Sequence, residues 1–534
     1  MADYVLGIDQ STQGTKALLF NMEGTLIARA DLAHRQIIDS RGWVEHDLNE
    51  IYHNTVQTVK NLVQKAGIDK SEIRVLGISN QRETGAAWNR RTGEPVYNAV
   101  VWQCARGAAI CEELAAADPE FPKLVRSHTG LNLSPYFTAA KLAWILQNVP
   151  AAQEAVGMPL CGESPAAAKK PGTTLSANRS GSQKAAAATA ADFSNDLCMG
   201  TIDSWLVFRL TGGKKFCTDY SNASRTQLFN IHTLAWDEEI CGRFGIPLSS
   251  LPELTDSDGD FGETDFDGWL EKPIPIRGVL GDSHGALFGQ NCRLPGQIKT
   301  TYGTGSSIMM NIGDQPMKSN SVVTSIGWKI GGNVTYVLEG NINYTGAVIS
   351  WMKEDLHLIS SAGETEEIAR AANPEDTTYL VPAFSGLGAP YWNTQARALF
   401  CGMSRSTTRA ELIKAGLESI AYQITDILRV MSEESGIEIR ELRVDGGPTK
   451  NAYLMQFQSD LAGIPVLVPD AEELSGIGAA YCAGIAAGFY DADSIFSGRA
   501  QTCFAPQMDE TVRDKKYAGW KDAVRRTLGS YFLA

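Results

Sequence analysis

Apolar and polar positions open the chain in a strand–turn–strand pattern. Tyr4 to Ile8 is apolar, Asp9 to Lys16 is polar and rich in Gly, Ser and Thr, and Ala17 to Phe20 is apolar again. A third run near Leu26 to Leu32 extends this into a meander. Leu48, Ile51, Tyr52, Val56, Val59, Leu62 and Val63 then recur at spacings of three and four, which predicts a helix. Asp47, with Glu50 three places on, reads as its N-terminal cap. The β-rich run Ile73 to Ile78 predicts a buried strand beside that helix.

The same opening returns in the second half. Gln297 to Thr301 predicts a strand, Tyr302 to Ser307 a Gly/Ser/Thr turn, and Ile308 to Ile312 a second strand. A long helix from about Thr407 to Ser435, closed by Gly436, precedes a strand at Leu442 to Val444 and then helix, strand and helix. Two halves that begin alike point to a duplicated α/β architecture. One segment breaks the pattern. About Pro159 to Asn195 is rich in Ala, Ser, Lys and Gly and too poor in large apolar residues to offset its ordering entropy. It reads as a flexible surface insertion without a catalytic duty, the alternative being a partner-binding arm.

Length and charge narrow the classes. A chain of 534 residues is too long for one ordinary core, so two large domains are expected. With 43% apolar and 20% charged residues the composition is that of a soluble globular protein. A formal net charge of −14 argues against nucleic acid or an anionic membrane as partner, though not against a small anionic ligand in a locally positive pocket. No signal peptide and no bilayer-length apolar stretch is evident. The 10 cysteines form no Cys-x-x-Cys pair and no Cys/His cluster at metal spacing, so reduced thiols in a cytoplasmic protein are expected.

Several short stretches carry groups suited to phosphate or polyol chemistry. Asp9-Gln10-Ser11-Thr12-Gln13-Gly14-Thr15-Lys16 offers an acid at a strand end, small donors and a cation; a solvated hairpin loop would look the same. Thr301 to Ser307 is its counterpart, where glycines let the backbone approach a phosphate closely, or simply make a tight turn. No Walker A sequence is present, so a P-loop fold is not expected. Asp282 follows a predicted strand, Ile274 to Leu280, and opens an apolar helical run. It reads as an N-cap, as a base facing a cleft at the carboxyl end of a strand, or as both. Arg82-Glu83, just past Ser79, is a solvated pair or a donor and acceptor for a ligand with several hydroxyls. Gly446-Gly447, after Leu442 to Asp445, is a turn or a flat place for a nucleoside. A metal role for the lone His284 is not expected.

Longer, irregular strings carry a resemblance. GISNQRET (77–84), Val101-Trp102-Gln103-Cys104, Ser134-Pro135-Tyr136-Phe137, TDYSNASRTQLFNI (218–231), VPAFSGLGAPYW (381–392) and Leu442 to Gly447 resemble the FGGY carbohydrate kinases, most closely their glycerol-phosphorylating branch. The likeness runs through nearly the whole chain outside the insertion. It implies two actin-like (ribonuclease-H-like) α/β domains, residues 1–292 for the substrate and 293–534 for the nucleotide, with a catalytic cleft between them. It implies ATP and Mg²⁺ as cofactors, a small polyol or sugar as substrate, and a homodimer or homotetramer. Asp282 is then the general base, with Arg82, Glu83, Tyr136, Asp282 and Ser283 on the substrate and Trp102 as an apolar wall. Asp9 would help hold Mg²⁺. Thr12, Gln13, Gly14, Lys16 and Thr304 would line the phosphate path, and Gly346, Gly447 and Asn451 the nucleoside.

The departures from that family pattern matter. Gly281-Asp282-Ser283-His284 stands where relatives have Gly-Asp-Gln-Gln, and Ser307 lies near a position usually aromatic. Both changes predict a larger, more polar pocket and an acceptor longer than glycerol, a four- or five-carbon polyol or ketose of the erythritol or xylulose type. Ser11 replaces a glycine, and Lys16 keeps the charge of a frequent arginine without its bidentate fork. A Gly/Arg-rich loop for a sugar-bisphosphate inhibitor is not recognisable around Phe266 to Arg277. The reading from another class is a non-catalytic actin-like nucleotide-binding regulator. Asp282 together with Arg82-Glu83 argues against it, because a scaffold has no chemical need for all three.

Overall fold

A computed structural model describes residues 3–157 and 196–529, so the insertion expected at 159–195 lies outside the described residues. The first half is built on strands β1 (Tyr4–Gln10), β2 (Gly14–Phe20) and β3 (Leu26–Ala33), helix α1 (Leu48–Ala66), β4 (Ile73–Asn80), the short β5 (Glu263–Thr264), β6 (Ile274–Gly281) and helix α2 (Asp282–Gly289). The second half has β7 (Ile298–Tyr302), β8 (Ser306–Gly313), β9 (Val323–Ile330), β10 (Asn333–Ile342), α3 (Gly346–Glu354), α4 (Arg409–Ser435), β11 (Leu442–Asp445), α5 (Ala452–Ala462), β12 (Val466–Pro469), α6 (Leu474–Ala486) and β13 (Gln501–Phe504).

The two main sheets repeat one topology. The first runs β5-β6-β4-β1-β2-β3, and the second β9-β10-β8-β7-β11-β12-β13. In each, an antiparallel hairpin (β1–β2, β7–β8) flanks a parallel core (β1–β4–β6, β7–β11–β12) with one antiparallel strand at its far edge. The recurrence read from the two strand–turn–strand openings is thus a duplication of whole sheets, with β9 as the extra strand.

Local chemistry explains the elements. Asp47 caps α1 by accepting from the amides of Asn49 and Glu50, and Gly67 closes it in the left-handed conformation. Glu50 does not complete a box with Asp47; its Oε1 takes the Arg35 amide at 3.1 Å instead. Thr408 and Glu411 do form a capping box on α4, and Gly436 ends that helix at φ 67°. The first polar turn is shorter than its composition implies. Asp9 and Lys16 are paired opposite each other within β1 and β2, leaving residues 11–13 as the loop.

One crossing was not foreseen. Helix α6, late in the chain, lies across the first sheet rather than the second. Its backbone meets Gly7 of β1, Gly77 of β4 and Gly278 of β6; a Cβ on Gly77 would sit 2.1 Å from the Ala479 carbonyl oxygen. Only glycine allows that approach, and the stripe locks α6 to the parallel core. A shared apolar cluster follows, joining Val5, Phe20, Val75 and Leu280 to Met309, Val337, Ile477 and Tyr481. The carboxyl ends of β1, β4 and β7 lead into loops and that of β6 runs straight into α2, at the sheet end where open α/β folds place ligands. Among the described residues no helix is long and apolar enough to cross a membrane.

Candidate active site

A cavity of about 660 Å³ is lined from both halves. The loop between β1 and β2 supplies Thr12 and Gln13, and the segment after β4 supplies Arg82 and Glu83. Trp102 and Tyr136 wall it, Asp282 and Ser283 enter from the start of α2, and Thr304 and Ser307 come from the β7–β8 turn. A second cavity of about 550 Å³ is lined by Gly346, Gly447 and Asn451 together with Ile349, Thr365 and Leu454. The β7–β8 turn joins the two, since the amides of Gly346 and Ala347 donate to the carbonyls of Gly303 and Thr304 at 2.9 and 3.0 Å.

Charges organise the first cavity. The Arg82 guanidinium uses all three nitrogens: Nε donates to Asp282 Oδ1 at 3.0 Å, Nη1 and Nη2 to the two oxygens of Glu339 at 2.9 Å each, and Nη2 also to Ser283 Oγ at 3.1 Å. Arg225 Nε donates to Glu83 Oε1 at 2.6 Å, and its Nη1 lies 3.0 Å from Glu339 Oε2. Burial works against the charge of Glu339, but Arg225 and Arg82 more than reverse it and hold the carboxyl well below the ordinary range. Glu83 itself stands at φ 60°, a left-handed backbone that an L-residue keeps only when its surroundings hold it.

Asp282 has side-chain exposure of 37%, in contrast to the buried groups around it. Its hydrogen bonds, from Arg82 Nε and from the Ser283 amide at 2.6 Å, both fall on Oδ1. Oδ2, without a partner among the described residues, is the oxygen left to take a proton. Trp102 Nε1 donates to Thr12 Oγ1 at 2.9 Å, and its ring meets Tyr136 edge-on at 5.7 Å. The wall is therefore tied to the first turn. Burial pushes the Tyr136 phenol far up, so it enters the site as a neutral donor.

Three expected phosphate-side residues line neither cavity. Gly14 lies against Leu32 of β3, where a Cβ would meet the carbonyl oxygen at 2.5 Å, so its smallness serves the hairpin. The Lys16 ammonium is paired with Glu473, which also binds Arg29. Asp9 is buried, with Oδ1 lacking a partner among the described residues. Burial raises it to about 6; Lys16 opposes this, while Glu473 and Asp282 add to it. An orphaned, desolvated carboxylate beside two further acids suits a cation. Among the described residues no group of three His, Cys, Asp or Glu side chains is placed to hold a metal ion.

The nucleoside side is also furnished. Gly447 has no atom within 4 Å of where a Cβ would stand, leaving its face open. Asn451 caps α5 through the Leu454 amide at 2.9 Å and donates to Thr365 Oγ1 at 3.0 Å. Sequence reasoning missed Glu339, Arg225, Asp445 and Lys299. Asp445 accepts from Gln290 Nε2 at 2.5 Å at the end of β11, and Lys299 is fully buried, donating to Thr301 Oγ1 at 3.0 Å. His284 is buried with both ring nitrogens unpartnered among the described residues; burial, then Arg82, holds it well below its ordinary range.

Comparison with known proteins gives the family. The chain is 44% identical over 529 residues to a glycerol kinase from Symbiobacterium thermophilum, covering 98% of each. Its structure resembles a Plasmodium falciparum glycerol kinase crystallised with ADP, at TM-score 0.87 and 33% identity over 99% of this chain and 98% of that one. A xylulose kinase from Lactobacillus acidophilus shares the fold at TM-score 0.81 and 20% identity, over 99% of each. Residues 4–164 and 175–289 match the N-terminal domain of the FGGY family of carbohydrate kinases, and residues 298–487 match its C-terminal domain. With both domains matched in order and two sheets of one topology meeting at the cleft, the chain belongs to the FGGY family of carbohydrate kinases.

Proposed function

We propose that this enzyme transfers the terminal phosphate of ATP to a hydroxyl of glycerol. The observation that carries the reading is the Arg82–Asp282 pair at 3.0 Å, opening on a cavity walled by Trp102 and Tyr136. A guanidinium and two carboxylates answer the donor and acceptor faces of a small polyol, and the aromatic rings cover its carbon side. Residues 1–292 present the acceptor and residues 293–534 the nucleotide. The similarity to glycerol kinases over nearly the full chain supports glycerol as that acceptor.

The chemistry asks little covalently of the protein. Asp282 Oδ2 takes the proton of the attacking hydroxyl as the new oxygen–phosphorus bond forms, and ADP leaves with the electron pair of the broken bond. An aspartate is a weak base, so positioning and charge neutralisation supply most of the acceleration. Thr12, Gln13 and Thr304 donate along the phosphate path, and Gly346, Gly447 and Asn451 frame the nucleoside. Asp9 would hold Mg²⁺, which, when bound, neutralises phosphate charge. Lys16, paired with Glu473 and outside both cavities, takes no part in this path. A cytoplasmic homodimer or homotetramer completes the reading.

A second reading keeps the reaction and lengthens the acceptor. Ser283 and Ser307 both line the cavity, and Ser283 Oγ already serves Arg82, so neither fills space beside the acceptor. A four- or five-carbon polyol or ketose would use that room. ATP consumption over a panel of glycerol, erythritol, xylulose and related compounds separates the readings. The highest kcat/KM belongs to glycerol on the first and to a longer compound on the second. If no polyol or ketose stimulates ADP formation, both fail, and the non-catalytic nucleotide-binding alternative stands.

A further inference from the structure

Glu339 lines neither cavity, yet both buried guanidiniums of the acceptor side, Arg82 and Arg225, reach it. Its side chain is fully buried and both oxygens are engaged, Oε1 by Arg82 Nη2 at 2.9 Å and Oε2 by Arg82 Nη1 at 2.9 Å and Arg225 Nη1 at 3.0 Å. Ser307 Oγ and Asn341 Nδ2 stand at 3.5 and 3.4 Å from Oε1. Two features set it apart from an ordinary structural ion pair. It comes from β10 of the second sheet, whereas both guanidiniums belong to the first half, so the contact crosses the cleft. It also grips Arg82 as a fork, which fixes the plane of a group whose remaining nitrogen points at Asp282.

Without that fork, Arg82 would face the other acids within reach. Its Nε is 3.0 Å from Asp282 and 4.0 Å from Glu83 Oε1, the carboxylates assigned above to the acceptor. A guanidinium turned fully onto them would occupy the hydrogen-bonding positions a polyol needs. Glu339 holds it back, and does so only while the two sheets stand in this relation, since moving them apart strips the carboxylate from both arginines.

Resting on the kinase reading above, we infer that Glu339 is a positioning residue: it sets Arg82 for the acceptor and makes the acceptor pocket depend on the second sheet being in place. A residue that merely held the fold would not distinguish the two substrates, so the test reads both. Steady-state kinetics with ATP and the best acceptor of the wild-type enzyme are compared for Glu339→Gln, which keeps the shape and removes the charge, and Glu339→Asp, which keeps the charge and shortens the reach. The acceptor KM is expected to rise about tenfold or more in the Gln variant and about three- to tenfold in the Asp variant, with the KM for ATP within about twofold of wild type. An acceptor KM at the wild-type value in either folded variant overturns the inference, as does an equal rise in both KM values. Should the Gln variant not fold, the Asp variant decides. Absence of acceptor-dependent turnover in the wild-type enzyme would count against the proposed function and not against the role of Glu339.

Discussion

Replacing Arg225 by methionine isolates one half of the buried charge cluster. Arg225 is 1% exposed, donates to Glu83 Oε1 at 2.6 Å and stacks over Phe137 with its guanidinium carbon 5.2 Å from the ring centre. Methionine keeps most of the volume and the contact with Phe137 but leaves Glu83, 3% exposed at its side chain, with Arg82 Nε no closer than 4.0 Å. Breaking a buried pair from one side costs about 3–5 kcal/mol, because the remaining charge is stranded. The roughly 250 described residues before position 292 gain about 0.5 kcal/mol per kelvin of entropy on unfolding, so the cost converts to a fall of about 6–10 °C in Tm. Differential scanning calorimetry at pH 7.5 on metal- and nucleotide-free protein reads this directly. Arg225→Lys retains a charge without the fork and belongs in between. A drop under about 1 °C for the methionine variant would show that Glu83 is compensated elsewhere, and the account of the cluster would be wrong.

Three further outcomes are expected. Asp282→Asn keeps an oxygen for Arg82 Nε and removes the proton acceptor, so acceptor-dependent ADP formation should fall by about 10²–10⁴-fold with ATP affinity preserved; near-normal turnover would place the base elsewhere. Gly447→Val projects its side chain into open space beside the second cavity and should raise the KM for ATP about tenfold at unchanged Tm, whereas an unchanged KM would remove the nucleoside from that cavity. Lys141 is wholly buried, with its ammonium donating to the carbonyls of Pro135, Tyr136 and Phe137, and burial pushes it from 10.5 to about 7. Between pH 7 and 9.5 the unfolded chain binds a proton that the folded state lacks, so this group makes stability rise with pH. Unfolding free energies of wild type relative to Lys141→Met, taken from urea titrations, should climb across that window by up to about 3 kcal/mol, and a flat difference would contradict the burial argument.

Much of the fold was legible because period and capping are local. The strands of the first meander, the caps of α1 and α4 and the return of strand–turn–strand after residue 297 all rest on neighbours within a few positions. Asp9 was read as turn because it is polar, yet strand pairing engages the backbone, and Asp9 continues β1 opposite Lys16. The run Leu474–Ala486 is visibly helical, but its small residues do not say which sheet they approach. That choice is made by Gly7, Gly77 and Gly278, hundreds of residues earlier, and is read only when the stripe they form is assembled.

The site divides along the same line. Arg82, Glu83 and Thr304, in loops after strands, and Asp282, at the start of α2, line the cavity and were legible as candidates because the carboxyl ends of parallel strands collect ligands whatever the rest of the chain does. Their charge partners were not, since Glu339 meets Arg82 across 257 positions and Arg225 meets Glu83 across 142, and no periodicity links such distances. A weaker signal was available in each case. Glu339 interrupts the apolar strand YVLEGNI, and Lys141 interrupts the helical run TAAKLAWIL. An ionisable side chain at a position the pattern assigns to the interior must find compensation there, because an uncompensated buried charge costs several kcal/mol. Asp426 obeys the same rule within α4: it is buried and accepts from Tyr391, Tyr517 and Trp520 at 2.7, 2.6 and 2.8 Å, tying the helix Glu510–Gly529 to α4. The pattern thus identifies which charges need partners, and the fold supplies their names; where the two partners come from opposite sides of a cleft, as at Glu339, the compensation is also a constraint on how that cleft can move.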